Sequence, residues 1–263
     1  MFISPVRPGG RNSVCTQKGT ASMKALILNS GMGSRMGALA KEHPKCMTNV
    51  TETDTILSMQ LKLLNRAGVR EVVMTTGLFD EILTEYCRSL SLPLNYTFVQ
   101  NPVYATTNYI YSIFLAREYL QDDIVLMHGD LVFEESVLRD LLASAYSCMA
   151  VSSTLPLPEK DFKAVVRGGR IEKVGVGFFE DAVTAQPLYK LQKKNWLLWL
   201  DRIGLFCEDG RVTCYAENAF NEVSSSCAVY PLDVKNRLCN EIDTAEDLKR
   251  IQKQVATSGT VWL

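Results

Sequence analysis

The 263-residue sequence contains only two histidines, His43 and His128. Its eight cysteines include no Cys-x-x-Cys pair and no Cys/His group at zinc-ligand spacing, so neither a zinc finger nor a dithiol redox centre is written into it. No apolar run reaches the roughly 18–20 residues that a membrane-spanning helix needs. The formal net charge is -1, which removes long-range attraction to nucleic acid or to an acidic membrane as a basis for function. Internal repeats and low-complexity tracts are also missing. The cysteines read as small buried thiols in a reduced chain, and a cytoplasmic location is expected.

Hydrophobic residues make up 47% and charged residues 22% of the chain. That is an ordinary globular balance, and the length suits one large α/β domain. Residues 1–22 carry Arg7, Arg11 and Lys18, no acid, and scattered proline and glycine. Without an apolar block they lack the core of a secretory signal, and a disordered leader is expected there. A single folded domain is expected over 23–263.

From Lys24 onward, short apolar runs alternate with amphipathic stretches. Strands are predicted at 24–28, 72–75, 94–99, 124–127 and 149–152. Helices are predicted around Ile56 and Leu64, around Ile82 and Leu90, over 108–120, and around Val137 and Leu142. Nearly all-apolar strands between helices predict a mainly parallel sheet covered on both faces, a Rossmann-like three-layer α/β sandwich. The second half predicts a β-hairpin over 162–176 turning at Gly168-Gly169, a long helix over 187–207, and a late strand at 228–230. Thr244 and Asp247 predict a capped helix ending near Val255. Residues 153–227 are expected to be a small β-hairpin and helical extension of the domain.

Ligands of such sheets collect at the carboxyl ends of the strands. The turn after the first strand holds Gly31 and Gly33, with Arg35 two residues on. A dinucleotide fingerprint would place a third glycine where Met36 stands, and no Gly-Lys-Ser/Thr phosphate loop follows. By itself the turn suits a plain tight bend as well as a phosphate cradle. Arg35 offers a fork of donors for phosphate oxygens, Lys45 follows the stiff Pro44, and Asp130 ends an apolar strand. Taken singly, these suit a surface ion pair, a solvated lysine and an isolated acid; Asp243, next to Thr244, also suits a helix start. Arg35, Lys45 and Asp130 together outline a triphosphate site.

Lys24-Ala-Leu-Ile-Leu-Asn-Ser-Gly-Met-Gly-Ser-Arg35, Pro44-Lys45, Gly129-Asp130 and Glu241-Ile-Asp-Thr-Ala-Glu-Asp-Leu248 occur in that order within 23–254. They resemble the signatures of the nucleotidyltransferase superfamily, which is sugar-phosphate nucleotidyltransferase-like or MobA-like. Asn101-Pro-Val-Tyr-Ala-Thr-Thr-Asn-Tyr-Ile-Tyr-Ser112 is similar to its phosphocholine and phosphonoalkyl cytidylyltransferase branch. The resemblance implies a nucleotide-diphospho-sugar transferase-like fold and a Mg2+-dependent transfer from a nucleoside triphosphate, CTP favoured. The acceptor it implies is phosphocholine or a 2-aminoethyl- or 2-hydroxyethylphosphonate, with release of pyrophosphate. Gly31, Gly33 and Arg35 would then hold phosphates, Arg35 and Lys45 would neutralise charge in catalysis, and Asp130 and Asp243 would hold Mg2+.

The same resemblance puts Gly77 near the base and Asn108 on the nucleotide or acceptor, although Asn108 also suits a helix cap. Lys163 would meet the acceptor's phosphate, or else be an exposed strand lysine. Tyr189, Tyr215 and Glu217 would meet the acceptor's far end, with a place in the core the favoured reading for Tyr215. The family usually has Ala-Ala where this chain has Asn29-Ser30, which adds polar groups beside the nucleotide. A sugar-1-phosphate nucleotidyltransferase and a non-catalytic nucleotide-binding regulator are the alternatives, and a homodimer is left open.

Overall fold

Strands buried on both faces are apolar at consecutive rather than alternate positions. The computed structural model, which describes residues 23–31 and 43–257, builds its sheet from such segments. The expected leader over 1–22, and with it Gly33 and Arg35, lie outside the described residues. Strands β1 (Met23–Leu28), β2 (Glu71–Thr76), β3 (Asn95–Gln100) and β4 (Asp123–His128) are mutually parallel, in the order β4-β1-β2-β3. Helices α1 (Ile56–Arg66), α2 (Asp80–Ser89) and α3 (Tyr109–Ala116) connect them. The predicted helix over 108–120 thus stops at Ala116, and a single 3-10 turn, Arg117–Tyr119, finishes the segment.

β5 (Leu131–Phe133) leaves the sheet directly after β4, and α4 (Glu135–Ala143) leads into β6 (Cys148–Ser152). The hairpin of β7 (Lys163–Arg167) and β8 (Arg170–Gly175) forms as expected, with both glycines of its turn at positive φ. β9 (Ala182–Leu191) then runs antiparallel between β4 and β6, and β7 adds to its first half. After it come α5 (Lys193–Glu208), α6 (Ala216–Val223), β10 (Tyr230–Asp233) parallel to β6, β11 (Cys239–Glu241) antiparallel to β5, and α7 (Ala245–Thr257). The late strand therefore sits a few residues beyond 228–230. Thr244 Oγ1 and the Asp247 carboxylate cap α7 reciprocally.

The long helix predicted over 187–207 is corrected: residues 187–191 finish β9, and the helix starts at Lys193. β9 is buried on both faces, so its apolar run flows into the apolar face of α5 with no change of period to mark the join. Pro187 encouraged the helical reading. It lies within the bulged part of β9, where residues 186–188 face only Ala150 of β6, and just past the last β4 pair, Met127↔Leu188, where a missing N–H costs least.

Alternation along β1 divides the core. Ala25 and Ile27 face α1, α2 and α4, whereas Leu26 and Leu28 face α3, α5 and α6. On the second side Trp196 and Trp199 are fully buried, and their indole N–H groups donate to Leu120 O and Ala216 O at 2.8 Å each. Among the described residues, no helix is long and apolar enough to cross a membrane.

Two glycines let the strand ends close up. Gly129 N–H donates to Leu28 O at 3.0 Å, and a β-carbon at 129 would lie 1.6 Å from Asn29 Oδ1. A β-carbon at Gly77 would lie 2.6 Å from Ser30 O. Asn29 thus occupies the space that a side chain at 129 would need.

Trp199→Ala should lower the unfolding free energy by about 3–5 kcal/mol, read from denaturant titration; a loss below 1 kcal/mol would contradict the packing described. Gly129→Ala should cost about 1–3 kcal/mol through overpacking. Adding Asn29→Ala should recover most of that loss, and strictly additive costs in the double-mutant cycle would refute the steric coupling.

Candidate functional site

The carboxyl ends of β1 and β4 open into a cavity of about 530 Å³. Lys45 enters it from a single 3-10 turn, Lys45–Met47, which follows Pro44 in extended conformation. Cys46 is buried in the core beside α1, so the turn is anchored and Lys45 is directed outward from it. Its Nζ donates to Asp130 Oδ2 and to Asp243 Oδ1, both at 2.6 Å. Asp130 follows β4. Asp243 is brought across by the β5–β11 pair, in which Leu131 lies opposite Glu241.

Burial pulls the Lys45 pKa down, but the charges and hydrogen bonds of Asp130 and Asp243 outweigh it, and the net direction is up. Burial likewise raises Asp130, and the Lys45 and His128 charges overcome it, leaving that carboxyl below its usual range. His128 ends β4, with Nδ1 2.9 Å from Glu241 Oε1. Burial disfavours the imidazolium, yet Glu241, then Asp130, hold its pKa up at about 9. Glu241 is pushed up to about 7 by burial and by Asp130, despite the His128 partner. The two shifts pull this pair in opposite senses. The rise at His128 is the firmer, because several carboxylates surround it.

Three carboxylates, Asp130, Glu241 and Asp243, therefore share two cations, Lys45 and His128. Asp130 Oδ1 is buried with no hydrogen-bond partner among the described residues. Carboxylate oxygens with spare lone pairs are the donor set that Mg2+ prefers, so these residues fit that ion. His128, Asp130 and Glu241 each offer a ligand atom within 4.8 Å of the others.

The opposite wall is aromatic. Phe162 and Tyr215 meet edge to face at 5.0 Å between centroids, and Tyr109 lies 6.0 Å from Tyr215 and 4.9 Å from His128. Behind Tyr109, the buried Glu217 carboxylate accepts from the Tyr109 hydroxyl and, at 2.9 Å, from the Tyr189 hydroxyl. Burial first, then the Glu217 charge, pushes both phenols well above their ordinary range.

The structure thus brings together Gly31, Lys45, Asn108, Asp130 and Asp243 on one wall system. Asn108 is at once the cap of α3, accepting from the Tyr109 N–H at 2.7 Å, and a wall residue. Gly77 stands behind Ser30, and Tyr189 and Glu217 stand behind Tyr109. Lys163 is buried rather than exposed, and Lys160, Asp161 and Phe162 line the cavity in its place. Tyr215 is corrected from core to wall; it precedes α6 at the cavity mouth and is 38% exposed. Sequence reasoning missed His128 and Glu241. The signal was available in His128-Gly-Asp130 and Glu241-Ile-Asp243, where i, i+2 spacing at a strand end points both side chains the same way.

Known proteins share this arrangement of elements. The chain is 38% identical over 135 residues to the CMP-5'-(3-aminopropyl)phosphonate synthase of Streptomyces rubellomurinus, a match that covers 51% of this chain and 21% of the synthase. It therefore spans about a fifth of that relative's length. It is 24% identical over 240 residues to the choline-phosphate cytidylyltransferase of Streptococcus pneumoniae, covering 88% of this chain and 97% of that protein. The solved CTP:phosphocholine cytidylyltransferase from Streptococcus pneumoniae superposes with a TM-score of 0.72 at 17% identity, over 89% of this chain and 99% of that one, a likeness of fold. Residues 25–173 match the MobA-like NTP transferase domain. That match runs from within β1 to within β8 and takes in Lys45, Asp130 and β7, and the chain belongs to the MobA-like NTP transferase domain family.

Proposed function

We propose that this protein is a Mg2+-dependent cytidylyltransferase. It would transfer CMP from CTP to an anionic oxygen of a small acceptor, phosphocholine or a 2-aminoethyl- or 2-hydroxyethylphosphonate, and release pyrophosphate. The observation that carries this reading is the Lys45 ammonium shared at 2.6 Å by Asp130 and Asp243, with a further Asp130 oxygen unpartnered among the described residues.

In this reaction an acceptor oxygen attacks the α-phosphorus, and the bond to the pyrophosphate oxygen breaks. Both reactants are anions, so repulsion and orientation dominate the barrier. Asp130 and Asp243 would hold Mg2+, which when bound supplies charge neutralisation across triphosphate and acceptor oxygens. Lys45, fixed beside those carboxylates by its anchored turn, neutralises the charge gathering at the α-phosphate. Gly31, at the end of β1, lets the backbone approach phosphates closely.

The acceptor oxygen is already ionised at neutral pH, so no general base is needed and the scarcity of histidine is accommodated. The Tyr109, Phe162 and Tyr215 rings, with the Glu217 carboxylate behind them, suit an acceptor whose far end carries an ammonium group. Similarity to relatives named for aminopropylphosphonate and choline phosphate supports the same choice.

With Mg2+ present, pyrophosphate release should be greatest for CTP among the four nucleoside triphosphates, with phosphocholine or 2-aminoethylphosphonate as acceptor. Release only with hexose 1-phosphates would replace the acceptor class, and no release with any pair would sink the reading. Lys45→Ala and Asp130→Ala should each lower turnover about 100- to 1,000-fold. Near-normal turnover in both variants, shown to be folded by circular dichroism, would refute the roles given to them.

A further inference from the structure

Lys163 and Lys160 lie three residues apart at the entrance to β7, and the fold gives them opposite tasks. The Lys163 side chain is fully buried. Its Nζ donates to the backbone carbonyls of Pro158, Glu159 and Asp161 at 2.5, 3.4 and 3.2 Å, and it lies 4.3 Å from the centre of the Phe179 ring. An ammonium has three N–H donors, and here three carbonyls take them while the ring covers it. No donor remains for a ligand.

That wrapping curls residues 158–161 around Lys163 and sets Lys160, Asp161 and Phe162 against the cavity. Three groups able to carry positive charge line the cavity among the described residues: Lys45, His128 and Lys160. Lys45 is committed to Asp130 and Asp243, and His128 to Glu241. Lys160 is exposed, and among the described residues no carboxylate lies within ion-pair distance of its ammonium. An exposed lysine gives up little hydration to meet an anion, and its flexible stem lets the ammonium follow a small head group.

We propose that Lys160 is the specificity-determining cation for the acceptor's phosphate or phosphonate head, and that Lys163 is a positioning residue that holds the loop presenting it. The identity of this ligand rests on the nucleotidyl-transfer reading; the division of labour rests on the geometry alone.

The test is calorimetric titration of the 263-residue chain with 2-aminoethylphosphonate, with phosphocholine and, separately, with CTP. Pyrophosphate release is followed in parallel. Lys160→Ala should weaken binding of the two acceptors about 10- to 100-fold, the range expected for one charge-assisted hydrogen bond. Lys160→Arg should restore most of that loss, and CTP binding should stay within about twofold of the wild type throughout. Lys163→Met should leave CTP binding intact but expose residues 158–162 to proteinase K and weaken acceptor binding with it. Equal acceptor binding by Lys160→Ala and the wild type overturns the inference, as does a wild type that binds neither acceptor. Lys160-dependent binding without pyrophosphate release would instead overturn the cytidylyltransferase reading and leave this inference standing.

Discussion

The Lys45 ammonium donates at 2.6 Å to Asp130 and to Asp243, residues 85 and 198 positions away along the chain. Partly buried charges of this kind are tolerable only as a set, because removing one leaves the others desolvated and unpaired. The arrangement therefore constrains everything that delivers its members. Pro44 and the buried Cys46 fix the approach of Lys45, β4 ends where Asp130 must stand, and the short β5–β11 ladder carries Asp243 across. His128 and Glu241 form a second pair alongside, with Nδ1 2.9 Å from Oε1, and lie within reach of Asp130.

The aromatic wall is tied to the same frame by different means. β9 pairs with β4 on one side and β6 on the other, so Tyr189 reaches from the centre of the sheet to Glu217 on α6. Trp199 packs at 5.5 Å against Tyr189 and at 5.3 Å against Phe220. The hydrophobic core on that face and the wall of the cavity are thus one continuous packing. A change in the tryptophan cluster would be felt at Tyr109, which hydrogen-bonds the same carboxylate.

The parallel half of the sheet was legible because β1, β2 and β4 are unbroken apolar runs separated by amphipathic helices. β9 was not, since a strand buried on both faces adjoining a helix carries no contrast in period, and Pro187 pointed the wrong way. Lys45, Asp130 and Asp243 could be picked out by motif and are found in contact. His128 and Glu241 were passed over because a single histidine and a single glutamate have many ordinary explanations until a fold places them 2.9 Å apart. Lys163 shows the limit of transferring a role by position. A lysine's charge says nothing about which way its stem runs, and here the backbone carbonyls of its own loop capture it. Gly33 and Arg35 lie outside the described residues, and their part in the site rests on the sequence alone.

The β5–β11 ladder has a consequence for biosynthesis. Its second strand, Cys239–Glu241, comes near the end of the sequence given, and Asp243 follows it by two residues. During synthesis the sheet strands β1 to β4 can pair long before that segment leaves the ribosome, and domains do fold as they emerge. Until it arrives, Lys45 has Asp130 alone, and the second carboxylate is missing. The cluster of Lys45, Asp130 and Asp243 is therefore completed only once β11 has been made, so a still-emerging chain has the parallel strands of the sheet before it has the second carboxylate.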